Sequence, residues 1–293
     1  MFENAIIESQ KYTRPILSVN RNYANKLTAG AGTLFFVNNN GVAVTCKHVA
    51  DVIISGDTIW GKFQDFLREK SLFANDGKLK NKIRDLEMKY GFQPNTTVQI
   101  LNTFQNCFDK ITGFKIHAHP KLDLAIIKFE GFEKILYGGH AQFISDNQPF
   151  NIGKFLCRVG FPFPEFTNFR INETDNLEWT QTGIQQTPIF PSEGMVTRFV
   201  GENNEITGIE MSTPGLRGQS GGPLFDVEGT VYGMQSHTMH LHLGFDLIEH
   251  EVITKFGNEK ISNYPFLHVG RCIHAIQIKK FLHEHNVEYF VRK

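Results

Sequence analysis

Short apolar runs separated by Gly- and Asn-rich turns dominate the chain and predict β-strands. Residues 31–37 and 41–45 flank the turn NNNG, a pattern typical of a β-hairpin. Residues 167–187 are polar and predict a long loop. Similar apolar runs predict further strands at 97–104, 122–129, 153–161, 194–200, 205–211, 222–227 and 230–235. The pattern indicates an all-β protein with two β-rich halves, built as packed barrels or a sandwich.

Two segments interrupt this pattern with apolar residues at helical spacing. Residues 60–90 combine that spacing with many charges and predict one or two amphipathic helices, broken near the NDG at 75–77. Residues 273–285 predict a C-terminal helix. We interpret 60–90 as a solvated packing insertion between strands. Binding of a regulatory protein partner is the alternative for these helices.

The charge balance excludes several classes of partner. Lys plus Arg and Asp plus Glu number 30 each, so the formal net charge is zero. Such a chain has no general attraction to nucleic acid or to an anionic membrane surface. No stretch approaches the ~18 apolar residues that span a bilayer. We therefore predict neither a nucleic-acid partner nor a membrane partner.

The cysteines and the N-terminus predict a cytoplasmic protein. The four cysteines form no C-x-x-C pair and match no zinc framework, which favours buried free thiols in a reducing compartment. One or two disulfides are the alternative. The N-terminal MFENAIIESQKYTRPIL lacks the apolar core and cleavage site of a secretory signal. The cysteines are Cys46, Cys107, Cys157 and Cys272.

The stretch GLRGQSGGPLFD, residues 215–226, places Ser220 among glycines. A serine hydroxyl is a weak nucleophile that needs a neutral imidazole, an acid to orient it and N–H donors for the oxyanion. Glycines allow positive φ and leave room for a substrate carbonyl, so the N–H groups of Gly218 and Ser220 are candidate oxyanion donors. The G-x-S-x-G elbow of α/β-hydrolases needs a helix beginning at the serine. Here GGPLFDVEGTVYGM predicts strand, turn and strand, which disfavours that fold.

Two upstream segments supply candidates for the base and the acid. VTCKHVAD places His48 just after a strand, and HPKLDLAIIKF places Asp123 at the start of an apolar strand. Each of the three residues also has a simpler interpretation. His48 would be a surface histidine, Asp123 would cap a strand or pair with Lys121, and Ser220 would be only a turn serine. All three motifs together favour a catalytic triad, with His48 as base, Asp123 as its orienting acid and Ser220 as nucleophile.

In these segments the chain resembles the trypsin/chymotrypsin-like serine peptidases, over roughly residues 30–240. TCKH is similar to their Thr-Ala-Ala-His segment, DLAII to their Asp-Ile-Ala-Leu-Leu strand, and GQSGGP to their Gly-Asp/Asn-Ser-Gly-Gly-Pro motif. The resemblance implies a chymotrypsin-like fold of two six-stranded antiparallel β-barrels with the triad between them. To these the sequence adds the helical insertion and the C-terminal helix.

The resemblance also implies one peptidase unit in two halves. Residues 1–145 would hold the N-terminal segment and the first barrel, and residues 146–293 the second barrel and the C-terminal helix. Gln219 stands where secreted digestive members carry an Asp that pairs with a new N-terminus after activation cleavage. We therefore do not expect that zymogen switch, and the chain looks closer to bacterial HtrA-type protease domains, which have Asn there.

Five residues are expected to contact substrate by the same resemblance. Pro214 occupies the place where Arg/Lys-cleaving members carry Asp, which disfavours tryptic specificity. Gln235 falls near the place where glutamyl endopeptidases carry a histidine, and His237 is close by. A preference for a polar or acidic residue before the scissile bond is therefore a hypothesis. The predicted substrate-binding residues are Pro214, Arg217, Gln235, Ser236 and His237, and Ser236 should also lie beside the buried carboxylate.

The segment SHTMHLH also suggests a metal site, because strand alternation puts His240 and His242 on one face. No nearby carboxylate pattern completes such a site, so an exposed histidine cluster that includes His237 is favoured. We predict neither a metal nor a cofactor. The sequence predicts a serine endopeptidase acting on a restricted or partner-gated set of protein or peptide substrates. The alternative is a catalytically silent trypsin-fold module that binds peptides or scaffolds a complex.

Overall fold

Helices flank and interrupt two large sheets in the computed structural model, which describes residues 1–202, 205–255 and 257–292. The helices of this part of the chain are α1 (Glu3–Tyr12), α2 (Lys47–Ser71), α3 (Leu79–Tyr90) and α4 (Ala275–Glu284). The first six strands are β1 (Thr13–Asn22), β2 (Leu27–Phe36), β3 (Val42–Thr45), β4 (Thr97–Phe104), β5 (Gly113–Ala118) and β6 (Ala125–Glu130). The following strands are β7 (Gln142–Phe143), β8 (Phe155–Gly160), β9 (Phe169–Ile171), β10 (Leu177–Trp179), β11 (Phe190–Glu202), β12 (Glu205–Met211), β13 (Pro223–Phe225), β14 (Thr230–His242), β15 (Leu247–Thr254), β16 (Gly257–Asn263), β17 (Phe266–His274) and β18 (Phe290–Val291).

The first sheet is an antiparallel barrel in the order β4–β1–β2–β3–β6–β5. Its two edge strands meet through the rings of Phe104 and Phe114, whose centroids are 5.3 Å apart in an edge-to-face contact. The pairing of β3 with β6 is the part that positions the site, because the ends of these strands lead directly to His48 and Asp123.

The second sheet closes on itself. Its strands run β13–β8–β11–β12–β17–β14, and β13 also pairs with β14, which completes a six-stranded ring. Strand β7 adds to β14 in parallel, and β18 adds to β7. The predicted fold of two six-stranded antiparallel barrels is confirmed. The predicted β-hairpin is β2 and β3, and the predicted C-terminal helix is α4, which packs against β14 and β17.

The helical insertion predicted over 60–90 begins earlier than the sequence indicated. Helix α2 starts at Lys47 and runs unbroken for 25 residues, and α3 follows after the predicted break at NDG. The β-branched residues of VIISGDTI disfavour a helix, but tertiary packing overrides that preference. Ala50, Ile53 and Gly56 are buried along one face, and Gly56 lies close to the Ile100 carbonyl of β4.

The long loop predicted over 167–187 contains the short antiparallel pair β9–β10. This pair forms because Phe169 and Trp179 pack around the buried Phe166, with Leu17 of β1 beneath them. The sequence also missed α1, β1, β5, β17, the hairpin β15–β16 and the two-residue strands β7 and β18. Most of the hairpin residues are exposed, so they carry no apolar periodicity that could reveal a strand.

The described cysteines are all buried and unbridged, which confirms the prediction of free thiols. No helix in the described ranges is both long enough and apolar enough to cross a membrane.

A separate aromatic core attaches α2 and α3 to the first barrel. Phe66 is fully buried at its centre, and its ring contacts the rings of Tyr23, Tyr90 and Phe92 at centroid distances of 5.0–5.6 Å. Phe63 stacks on Phe66 at 6.1 Å. This cluster fixes the far half of α2, while the near half reaches the cleft.

Replacing Phe66 with alanine should therefore destabilise the protein by about 3–5 kcal/mol, since it removes a buried ring and leaves a cavity. Urea unfolding followed by circular dichroism measures the change. The matched control is Phe245→Ala, whose ring is 57% exposed and whose loss should change the free energy of unfolding by no more than about 0.5 kcal/mol. Equal losses in the two variants would contradict the assignment of Phe66 to a core.

Candidate active site

Adjacent strands bring His48 and Asp123 together. His48 lies in the first turn of α2, three residues after β3 ends, and Asp123 lies two residues before β6 begins. The imidazole Nδ1 is 2.9 Å from Oδ2 and 3.0 Å from Oδ1 of Asp123. The backbone N–H of His48 also donates to Oδ1 at 3.0 Å. One carboxylate therefore orients the ring and accepts an otherwise free N–H at the start of α2.

This contact shifts the pKa values of both groups. Burial raises the pKa of Asp123, but the hydrogen bonds from His48 and Ser236 outweigh burial and leave that pKa well below its ordinary range. The hydrogen bond to Asp123 raises the pKa of His48, against a smaller opposite effect of burial. Asp123 is thus ionised at neutral pH and stabilises a protonated His48.

Ser236 and His237 extend the hydrogen-bond chain behind Asp123. The buried Ser236 hydroxyl donates to Asp123 Oδ2 at 2.5 Å, and His237 Nδ1 lies 2.9 Å from the same hydroxyl oxygen. Since the hydroxyl proton is used on Asp123, His237 must donate through its own Nδ1–H. Burial lowers the pKa of His237, which keeps it neutral in this role. The chain holds His48 in the tautomer with a free Nε2 lone pair.

Ser220 lies in the turn before β13, next to His48 across the cleft. Both residues line the same two cavities. The Ser220 hydroxyl donates to the Ser236 carbonyl at 2.9 Å. A hydroxyl has one proton, so in this arrangement it does not donate to His48. Transfer of that proton to the imidazole requires rotation of the serine about χ1 into another staggered well.

The turn that carries Ser220 has the backbone expected of an oxyanion-binding loop. Gly218 has φ +96°, and a Cβ there would lie 2.4 Å from the Phe161 carbonyl, so glycine is required. Thr33 of β2 donates from Oγ1 to the Gly218 carbonyl at 2.7 Å and from its backbone N–H to the Ser220 carbonyl at 3.0 Å. Neither Gly218 N–H nor Ser220 N–H donates to any acceptor in the described part of the chain.

The uncharged side chain of Gln219 holds this turn in place through hydrogen bonds. It is fully buried, and its Nε2 lies 3.1 Å from the Phe190 carbonyl and 3.2 Å from Ser192 Oγ. Its Oε1 accepts the Leu216 N–H at 2.9 Å. The amide therefore ties the oxyanion turn to β11 of the second barrel.

Every predicted substrate-binding residue lines one cavity of about 460 Å³ beside Ser220. One wall is 214–217, the opposite wall belongs to β14, and His268 of β17 closes the side. A second cavity of about 380 Å³ lies on the other side of Ser220, between β1, β2 and the loop at Pro162 and Pro164. The cleft thus offers space on both sides of Ser220.

Sequence reasoning missed three residues that shape this site: Thr33, Arg158 and His268. Arg158 is almost fully buried below the 460 Å³ cavity, where its Nη1 donates to Gln235 Oε1 at 2.9 Å. A lone arginine inside the apolar run FLCRVGF was the available signal, because arginine is rarely buried without partners. Thr33 and His268 carry no comparable local signal.

Metal-ligand spacing occurs at one place in the described ranges, where Cys46, His48 and Asp123 have donor atoms within 4.8 Å of one another. Burial raises the pKa of the Cys46 thiol, which remains protonated and donates to the Gln235 carbonyl at 3.2 Å. Asp123 already accepts from His48 and Ser236. These contacts do not suit a metal ion, since bound thiols must lose their protons.

Comparisons with known proteins give one family and several similar structures. The family model described as a trypsin-like peptidase domain matches residues 32–234. No curated protein sequence matches the chain. The HtrA-type protease AlgW with a tripeptide is similar, with TM-score 0.47 and 12% identity over 98% of this chain and 65% of that one. The Rv3671c protease from M. tuberculosis, in its active form, has TM-score 0.46 and 12% identity over 98% of this chain and 86% of its own.

The chain spans 65% of the length of the AlgW chain. The region matched by the family model covers well over half of the 293 residues, from Gly32 in β2 to Met234 in β14. It contains His48, Asp123 and Ser220 within the two-barrel fold. The chain belongs to the trypsin-like peptidase family.

Proposed function

We propose that the chain is a serine endopeptidase that hydrolyses peptide bonds through His48, Asp123 and Ser220. The observation that carries this proposal is the hydrogen-bonded chain from His237 through Ser236 and Asp123 to His48, in the cleft next to Ser220. Such a chain fixes the imidazole as a base for a nearby hydroxyl. No metal ion or cofactor takes part in the proposed reaction.

The first half of the proposed reaction forms an acyl-enzyme. A substrate carbonyl enters above Ser220, whose hydroxyl turns from the Ser236 carbonyl toward His48 Nε2. His48 takes the proton while Ser220 Oγ attacks the carbonyl carbon, and Asp123 stabilises the resulting imidazolium. The N–H groups of Gly218 and Ser220 donate to the oxyanion. Stabilisation of the oxyanion in this way provides a large share of the rate enhancement in such sites. His48 then protonates the leaving amine.

The second half reverses these roles with water. His48 takes a proton from a water molecule, which attacks the acyl carbon, and Ser220 recovers its proton as the acid product leaves. The neutral tether of Gln219 supports the proposal, because it holds the oxyanion turn without a charged partner from a newly cut N-terminus.

We further propose that the enzyme acts on a restricted or partner-gated set of substrates. The supporting observation is the bond from Ser220 to the Ser236 carbonyl, which a bound substrate or partner must exchange for one to His48. The same observation favours the alternative function, a catalytically silent module that binds peptides in this cleft. Covalent chemistry at Ser220 separates the two.

Wild-type protein should react with a fluorophosphonate and cleave an unstructured protein substrate. Ser220→Ala should abolish labelling and reduce turnover by on the order of 10⁶, because no nucleophile remains. The control is Ser71→Ala at the exposed end of α2, which should keep both activities. A folded wild-type chain that is never labelled, with or without a protein substrate present, would point to the silent module.

Asp123→Asn should lower kcat/KM on the order of 10⁴-fold near neutral pH, since the amide no longer accepts from His48 in the required tautomer. In the wild type the rising limb of the pH profile reports loss of a proton from His48. Because the pKa of His48 is raised, that limb should have its midpoint above about 6.5, and activity should fall as the pH drops. A midpoint below that value would contradict the His48–Asp123 assignment.

Gln219→Leu should slow fluorophosphonate labelling about tenfold or more while circular dichroism shows the fold retained. Leu216 N–H and the Phe190 carbonyl lose their partner, a cost of about 1–3 kcal/mol that falls on the oxyanion turn. Gln93→Leu, at an exposed position, is the matched control. Unchanged labelling in Gln219→Leu would show that the turn does not need this tether.

A further inference from the structure

We propose that the 460 Å³ cavity beside Ser220 selects a carboxylate side chain, glutamate or aspartate, on the residue N-terminal to the scissile bond. This inference rests on the proposed endopeptidase function and names its substrate class. It depends on the charges around the cavity, on the hydrogen bonds below it and on a pair of histidines in its wall.

The cavity wall contains donors and cations but, among the described residues, no aspartate or glutamate. Arg217 lies at the rim, and Thr238, His240 and His268 lie on the strands opposite. A cationic substrate side chain would find no counter-charge here. A carboxylate would find both hydrogen-bond donors and positive charge.

Arg158 places a buried positive charge directly below this cavity. Its guanidinium donates to Ser192 Oγ at 3.0 Å, to Gln235 Oε1 at 2.9 Å and to the Pro214 carbonyl at 2.6 Å. Two further bonds go to the carbonyl and hydroxyl of Thr213, both at 2.8 Å. All five acceptors are neutral. Burial lowers the pKa of Arg158, yet a guanidinium remains charged near neutrality.

Arg158 forms no ion pair with any carboxylate in the described ranges, since all the acceptors of its hydrogen bonds are neutral. Pro214 and Gln235, which accept its hydrogen bonds, are themselves part of the cavity wall. In a buried setting such a charge interacts more strongly with a nearby ion than it would in water. An anionic side chain in the cavity is therefore the missing partner.

Two carboxylates of this region are already paired. Glu210 is buried and contacts both Arg198, at 2.7 Å, and Arg271, at 3.2 Å, so two cations surround it. Asp123 is held by His48. Both carboxylates are therefore engaged with residues other than Arg158.

A pair of histidines adds a hydrogen-bond donor to the cavity wall. His240 Nδ1 and His268 Nδ1 are 2.7 Å apart, so one ring donates to the other across β14 and β17. The accepting ring uses the lone pair of its Nδ1, so it carries a proton on Nε2. That N–H is a donor for an entering carboxylate.

The two residues that the sequence hypothesis used for specificity are committed elsewhere. Gln235 Oε1 accepts from Arg158, and its Nε2 donates to the His237 carbonyl at 3.0 Å. The Nδ1–H of His237 donates to the Ser236 hydroxyl oxygen. Arg158, His240 and His268 are therefore the residues that would recognise the charge of the substrate side chain. The hypothesis of a polar or acidic residue before the scissile bond becomes one of an acidic residue.

The test compares fluorogenic peptides that are identical except for glutamate, glutamine, lysine or phenylalanine before the scissile bond. Glutamate and glutamine have nearly the same shape, so the ratio of their kcat/KM values isolates the charge. We expect glutamate to exceed glutamine at least about tenfold, with lysine the poorest. The double variant His240→Gln with His268→Gln should reduce the glutamate-to-glutamine ratio several-fold. His242→Gln, on the same strand but outside the cavity wall, should leave that ratio unchanged.

A second measurement does not need turnover. Product peptides ending in glutamate or glutamine compete with a fluorophosphonate for the Ser220 site, and glutamate should protect better. Equal protection, or cleavage of the glutamine, lysine or phenylalanine peptides as fast as the glutamate peptide, would overturn the acidic preference while leaving the endopeptidase intact. Absence of both labelling and cleavage would instead overturn the proposed function, and the preference with it.

Discussion

Two hydrogen bonds from Thr33 join the first barrel to the turn that carries Ser220. They fix the carbonyls of Gly218 and Ser220, while Gly221, with φ +89°, fits against Thr33 where a Cβ would lie 2.0 Å from its carbonyl oxygen. His48 also belongs to the first barrel, so these bonds help to set the position of His48 relative to Ser220. The hydrogen bond from Ser236 to Asp123 is a second link between the barrels, and the geometry of the cleft depends on both contacts.

The candidate triad could be predicted because each member lies in a short local motif next to a strand. Residue types, strand endings and chain order pointed to His48, Asp123 and Ser220, which the structure brings to one cleft. The floor of the cavity could not be predicted in this way. Arg158 meets Thr213 and Gln235 across separations of 55 and 77 residues, and only the pairing of strands in the second barrel decides such contacts.

Sequence analysis missed β5, β15 and β16, none of which contains a buried residue, and it also missed β1, although most of the residues of β1 are buried. Apolar runs such as AIIKF of β6 can be recognised in the sequence. Strands β15 and β16 have no buried face, so their sequences show no regular alternation of apolar and polar residues. The early start of α2 has a different cause. Its first turns contain Val49, Val52 and Ile53, which suit a strand, but packing of the helix on β4, with Val49 against Gly32 of β2, overrides that preference.

The position of His48 divides α2 into two parts with different freedom to change during evolution. The first turn is bound to the Asp123 carboxylate, so an insertion or deletion there would rotate the imidazole away from Asp123, about 100° for each residue. Beyond the aromatic cluster around Phe66, the helix end at Ser71 and the connection to α3 touch nothing in the cleft. The distal end of α2 can therefore gain, lose or exchange residues while His48 and Asp123 keep their relative positions.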